Sequence, residues 1–519
     1  MSAAELSRRG MLGVGAAMFA IAARADASWP AATTVAAPAG RIGGYTERGV
    51  GVFRGIRYGQ AARFQAPTAE PPGATIDASR PGAACPQPGN RYPEQDEDCL
   101  RLNSWSAALD SRARKPVLIY FHGGAYTTGS VTDLLNDGHA LAAHGDVVVV
   151  TVNHRLNAFG YLYLARLDSR FPDSGNAGQL DLVLALRWVR DNIAAFGGDP
   201  SRVTLFGQSG GGAKIATLMA MPAARGLFHR AVTMSGQQVT ASGPLNAGRR
   251  TAAFLDRVGT RDIDALIRMP AARLVAALDT VDPVLGGTIY MGPVLDMNNL
   301  DRHPFWPDAH PFGRSIPMML GNTRDETRGF IARDGATMRG LGWDNLAARM
   351  APELRIDVVP EWVVAAYRAH YPAWTPAEIF YAATTAARSW RGQVIEAEAR
   401  ARGGVPAWVY QLDFGSRTDP QRGAFHTHDI PLMFGTLDAP GSETGTAADA
   451  RAVSAVMQAR LCAFAATGDP AVRGLSPWPR YDLPRRATMI FDTISRVEDD
   501  PRRWQRELFA RIPYIQPGS

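Results

Sequence analysis

Three cysteines in 519 residues are too few for a disulfide scaffold. They are Cys85, Cys99 and Cys462, and their spacing forms no zinc or redox motif. The chain also lacks any run of five basic residues, and no basic stretch is interleaved with aromatics. Nucleic-acid binding is therefore not indicated, although the formal charge is +6 and the isoelectric point about 9.3. The scattered arginines read as a basic surface. Beyond the N-terminus no apolar run approaches membrane-spanning length, and no internal repeat is present. What remains is ordinary globular composition, 46% hydrophobic and 20% charged. Its 52 glycines and 36 prolines imply many turns and long connections.

The N-terminus reads as an export signal. In "LSRRGMLGVGAAMFAIAARADA" the pair Arg8-Arg9 precedes an apolar segment from Gly10 to Ala23. Small residues in A-x-A spacing follow, Ala23-Arg24-Ala25 or Ala25-Asp26-Ala27. The layout predicts a twin-arginine signal peptide over residues 1–27 and a periplasmic or secreted protein. The segment is too short and too rich in glycine and alanine to span a membrane. Residues 28–519 are read as a single domain.

Six apolar runs predict strands: Val117–Phe121, Val147–Val152, Val203–Phe206, Ala231–Met234, Ile316–Leu320 and Ala407–Leu412. They are continuous, not alternating, as in strands covered on both faces. Helical patterns lie between them; Leu180, Leu184 and Trp188 recur at i, i+4 and i+8. The fold class is α/β, a mostly parallel sheet covered by helices, with its chemistry at the carboxyl ends of the strands. Residues 240–310 and 335–400 lack strand runs and read as helical or loop insertions over the active edge.

In "VTLFGQSGGGAKIA" a strand-like run stops at Gly207 and one serine, Ser209, stands among glycines before a helical segment. This is the pattern of a nucleophile elbow, which exposes a serine hydroxyl above a sheet. Such a hydroxyl needs a base, an acid to orient the base, and donors for the oxyanion. "YFHGGAYTTGS" supplies glycine-rich backbone directly after a strand, with His122 as a brace for the loop; the N–H of Gly210 is a further donor. "GNTRDE" offers Asp325 and Glu326 as acids, and spacing does not choose between them. Six histidines follow Ser209, of which His426 and His428 share one short loop. The cluster His426-x-His428-Asp429 has no HExxH helix or third ligand group beside it, so a metal site is disfavoured.

At this point the chain resembles the type-B carboxylesterase/cholinesterase family of α/β-hydrolases. The resemblance runs from "GVFRGIRYG" to "DPRRWQRELF" and includes "EDCLRLNSW", "VLIYFHGGAYTTGS", "GQSGGG" and "GNTRDE". It implies the α/β-hydrolase fold and a serine carboxylesterase acting on small-molecule esters without a metal or organic cofactor. It places the nucleophile on Ser209, the acid on Glu326 and the base on His426. The oxyanion donors fall on Gly124, Ala125 and Gly210, and Cys85 aligns with Cys99 as a short-loop disulfide. The alternatives on the same fold are an amidase or carbamate hydrolase using the same triad, and a binding protein without catalysis. The second is disfavoured because all three triad positions are filled.

Several positions depart from the family. Gln208 stands for the usual glutamate, Gly210 for alanine, Ala125 for glycine, Lys214 for serine, and Asp429 for glutamate. The Cys85–Cys99 loop is short and has no tryptophan, and Gln208 is neutral, so a quaternary ammonium finds neither cage nor counter-charge. A choline ester is thus not expected. Lys214 near the serine suggests instead an ester that carries a carboxylate.

Overall fold

A computed structural model describes residues 31–516 of the chain. The leader read at residues 1–27 lies outside the described residues. Thirteen strands among those described form one sheet. Its spatial order is Ala31–Ala37, Gly40–Glu47, Val50–Arg57, Arg101–Ser106, Val148–Val152, Lys115–Phe121, Gly198–Gln208, Arg230–Met234, Met318–Thr323, Ala407–Leu412, Ala487–Phe491 and Arg496–Asp499, with Gly73–Asp77 beside the second. The seven strands from Val148–Val152 to Ala487–Phe491 pair in parallel. Antiparallel strands continue the sheet at both margins.

All six expected strands are present, with ends moved by a few residues. Along Lys115–Phe121, Val117, Ile119 and Phe121 enter the apolar layer on one face, and Leu118 and Tyr120 the layer on the other. Both faces are covered, so every position favours an apolar residue and the usual alternation disappears. The margins escaped detection because their pattern is weaker; Gly40–Glu47 is mostly half-exposed.

The helix Ala177–Asn192 corrects the expected stripe. Leu182, Ala185 and Val189 are fully or almost fully enclosed, whereas Leu180 is half-buried. The stripe Leu180–Leu184–Trp188 is therefore the outer flank of a helix buried nearly all round. At its start Asp181 accepts from Arg155 N–H, Nε and Nη2 at 3.0, 2.9 and 2.6 Å, tying the helix to the end of the Val148–Val152 strand.

Residues 240–310 and 335–400 contain helices and loops, as expected. The second stretch has an apolar cluster of its own, with Leu346, Met350, Val363, Tyr367, Ile379 and Phe380 packed with Phe509 of the C-terminal helix.

Cys85 and Cys99 are both buried free thiols. The disulfide implied by the resemblance is not formed in this structure. The Cys85 thiol beside it and burial push the Cys99 thiol well up. Cys462 is partly buried and packs against one of the apolar layers.

Candidate active site

The Gly198–Gln208 strand and the Gly210–Leu218 helix are separated by one residue, Ser209. Its φ of 55° and ψ of −124° lie in a region that side chains rarely occupy. Two neighbours hold it there. The Ser209 N–H donates to the Met234 carbonyl at 2.7 Å. Behind the turn, Gly211 passes so close to the Phe121 carbonyl that a Cβ would lie 1.9 Å from its oxygen. A larger residue at 211 would push the helix off the sheet and undo the turn.

The loop after Lys115–Phe121 crosses in front of the serine. Gly124 has φ 87° and Ala125 φ 55°. The N–H groups of Gly124, Ala125 and Gly210 have no hydrogen-bond acceptor among the described residues. Of these unspent donors Gly210 is buried, whereas Gly124 and Ala125 lie at the exposed mouth of the cleft, and together they form a site ready for an anion. Ala125 and Gly210 also explain each other. A Cβ on Gly210 would stand 1.9 Å from the Ala125 carbonyl oxygen, so the loop occupies the space of the usual alanine methyl. His122 braces this loop, with Nδ1 donating to the Gly123 carbonyl at 3.0 Å.

The two acidic candidates part company in three dimensions. Asp325 turns to the backbone: its N–H donates to the Ala424 carbonyl at 2.9 Å, and its Oδ2 accepts the Ala424 N–H at 3.1 Å. This short bridge carries the loop that holds His426. Glu326 is wholly enclosed. Its Oε1 accepts from Asn322 Nδ2 and the Thr323 N–H, both at 2.9 Å, and its Oε2 accepts from His426 Nδ1. Burial alone would raise the Glu326 carboxyl, but the imidazole and these donors outweigh it and hold it below the usual range. The Nδ1–H contact fixes the tautomer that leaves His426 Nε2 as the acceptor.

That acceptor has a partner which sequence reasoning did not find. Gln208 Nε2 lies 3.2 Å from His426 Nε2. Only its position beside the serine signalled any role. Phe330 was also missed. Its ring packs 4.4 Å from the His426 ring, it is 44% exposed, and the Arg388 guanidinium lies 4.3 Å from its ring centroid. Arg388 projects from a π-helical turn, Ala386–Trp390, and is paired with Glu353 at 3.1 Å.

His428 and Asp429 do not join His426. His428 is buried, and burial pushes it down to about 4. Asp429 accepts from Tyr410 Oη at 3.0 Å; burial and the nearby Glu326 push its carboxyl up to about 7. Among the described residues no group of three or more His, Cys, Asp or Glu is placed to hold a metal ion. No helix of the described chain is long and apolar enough to cross a membrane.

Lys214 is corrected. It does not face a substrate. It is fully buried, and its Nζ donates to the His122 carbonyl at 3.0 Å behind the glycine loop. Five residues after Ser209 the helix has turned its side chain away from the cleft, so it gives no support for a carboxylate-bearing ester.

The profile of the carboxylesterase family matches residues 31–505. The chain is 34% identical over 491 residues to the para-nitrobenzyl esterase of Bacillus subtilis, covering 90% of this chain and 96% of that protein. It is 33% identical over 501 residues to the phenmedipham hydrolase of Pseudarthrobacter oxydans, covering 87% and 93%. A solved carboxylesterase from Geobacillus stearothermophilus superposes with a TM-score of 0.82 at 36% identity, covering 92% of this chain and 99% of that one. The parallel sheet, its helices and the elbow are those of the α/β-hydrolase fold that these structures share. On this evidence the chain belongs to the carboxylesterase family and is a carboxylic-ester hydrolase.

Proposed function

We propose that the enzyme cleaves small-molecule esters through an acyl-enzyme on Ser209. His426 Nε2 takes the Ser209 proton as Oγ bonds to the ester carbonyl carbon. The carbonyl π-electrons move to oxygen, and the N–H groups of Gly124, Ala125 and Gly210 hold that oxyanion. When the oxyanion collapses, the C–O bond to the alcohol breaks and the alcohol departs with the proton from His426. Water then gives a proton to His426 and adds to the acyl carbon. The second oxyanion expels Ser209, which recovers its proton, and the acid is released. Glu326 keeps the imidazole in its tautomer and stabilises its charged form.

The observation that carries this reading is the contact between His426 and the buried Glu326 beside a strained serine and three unspent N–H groups. The half-exposed Phe330 against His426 favours esters with an apolar or aromatic portion on that side. An amidase reading gains no observation of its own.

The same proposal includes export of the chain after removal of residues 1–27. In an oxidising compartment Cys85 and Cys99 then join as a disulfide, since both lie buried side by side.

The test is hydrolysis of p-nitrophenyl esters from acetate to decanoate by the wild type and by Ser209→Ala. Loss of the nucleophile is expected to lower kcat by about five to six orders of magnitude. Equal rates in both proteins would overturn the assignment of Ser209.

A further inference from the structure

Lys214 does something other than meet substrate. Its side chain is fully enclosed, and its Nζ donates to the carbonyl of His122. The His122 ring in turn donates from Nδ1 to the carbonyl of Gly123. A carbonyl accepts only, so this nitrogen carries the proton. These two carbonyls belong to the peptide units whose N–H groups are those of Gly123 and Gly124. The lysine's own bond therefore bears on the Gly123 N–H, one residue before the oxyanion donors, while the separate bond from the His122 ring bears on the Gly124 N–H.

Its surroundings contain no counter-charge. Among the described residues no carboxylate pairs with Lys214. The Tyr126 ring lies 5.5 Å from Nζ, and the Tyr126 hydroxyl is spent on Gln238. The His154 ring stacks on His122 at 4.6 Å, and Gln179 donates to the Lys214 carbonyl at 3.3 Å. Burial and the Lys214 charge push His122 down to about 3, and push His154 down as well, so both rings are neutral. Burial pushes the Lys214 ammonium down to about 7. Enclosing an unpaired ammonium is costly, and if space alone had to be filled, methionine would fill it without that cost.

We propose that Lys214 is a positioning residue: by holding the His122 carbonyl from behind, it fixes the turn into the glycine loop and sets a positive charge behind the backbone donors that hold the oxyanion at Ser209. This rests on the reading of Ser209 as the nucleophile. A hydrogen bond accepted by a peptide carbonyl strengthens the donor on the same peptide. A positive charge behind those donors favours a negative oxygen over the neutral ester carbonyl. The effect therefore belongs to kcat and not to KM.

The experiment compares the wild type with Lys214→Met, which keeps the volume, and Lys214→Gln, which keeps a neutral donor. Complete labelling by a fluorophosphonate, located by mass spectrometry, first counts the sites that react at Ser209. Per labelled site, Lys214→Met is expected to lose about tenfold or more in kcat with little change in KM. Its affinity for a trifluoromethyl ketone, which forms an oxyanion on the serine, falls by the same factor. Lys214→Gln lies between, and it lacks the alkaline fall in kcat/KM that loss of the Lys214 proton gives the wild type. Unchanged kcat and ketone affinity per labelled site in both variants would overturn the proposal. An alkaline fall retained in Lys214→Gln would also overturn it, and this arm decides if Lys214→Met does not fold. Absence of a label on Ser209 in the wild type would instead sink the reading of the nucleophile, and the proposal with it.

Discussion

Gln208 and His426 touch through nitrogen: the side-chain amide lies 3.2 Å from Nε2 of the imidazole. In the proposed mechanism this is the atom that receives the Ser209 proton. With Nδ1–H committed to Glu326, Nε2 is an acceptor, and the Gln208 amide donates to it. The wild type therefore rests with its base held by a neutral neighbour. The amide must yield or share that lone pair when Ser209 attacks the ester. A glutamate at this position, the usual residue of the family, would face the imidazole with a negative charge instead.

Gln208→Glu follows from that geometry. A carboxylate beside the ring favours its charged form, so the base stays protonated to higher pH. The acid limb of the kcat/KM profile is expected to move up by about one pH unit relative to the wild type. Activity falls at pH 5.5 and is largely recovered at pH 8. A full pH–rate profile of the two proteins checks this. Identical acid limbs would show that residue 208 does not sense the charge of His426.

Gly210 is forbidden to carry the alanine that its relatives usually have. The Ala125 carbonyl oxygen occupies that place, 1.9 Å from a built Cβ, and backbone cannot move aside as a flexible side chain would. Gly210→Ala alone is expected to displace the loop and reduce kcat by about a hundredfold to a thousandfold, the range for a lost oxyanion donor. Adding Ala125→Gly frees the φ 55° residue of its Cβ and lets the loop retreat. The double variant is expected to regain much of the loss. Such non-additivity in kcat, read in a double-mutant cycle, is the signature of a shared contact. Strictly additive losses would contradict it.

Asp429 links stability to pH. Its carboxyl is wholly buried and pushed up to about 7, against 3.8 for the free group. Between these values the folded chain holds a proton that the unfolded chain has released. Stability from this residue is therefore full at low pH and lost as pH rises through 7. Asp429→Asn keeps an acceptor for Tyr410 and has no proton to lose. At pH 8 the variant is expected to be more stable than the wild type by on the order of 3 kcal/mol. At pH 4.5 the difference shrinks toward zero. Urea unfolding at both values measures it, and a difference independent of pH would refute the account.

Much of this was legible because it is local. The elbow around Ser209 needs glycines at fixed places, and a chain that bends there advertises it. The central strands were visible because burial on two faces leaves an unbroken apolar run. The marginal strands were not, because a half-exposed strand such as Gly40–Glu47 tolerates almost any residue. The stripe on the Ala177–Asn192 helix misled for the opposite reason. In a helix enclosed on nearly every side, one apolar row is no more inward than another.

The sequence by itself determined the order of motifs, the family and the serine at the turn, since each depends on neighbours along the chain. Spacing left Asp325 and Glu326 open and the resemblance chose Glu326; only the tertiary structure gave the physical difference, turning one to the backbone of the His426 loop and the other to its imidazole. It also placed Gln208 on the base and turned Lys214 from the cleft to the back of the glycine loop. Those outcomes depend on contacts between residues as far as 218 positions apart. Hydrogen bonds and burial act through space, and spacing along the chain does not record which way a side chain turns once the sheet has closed around it.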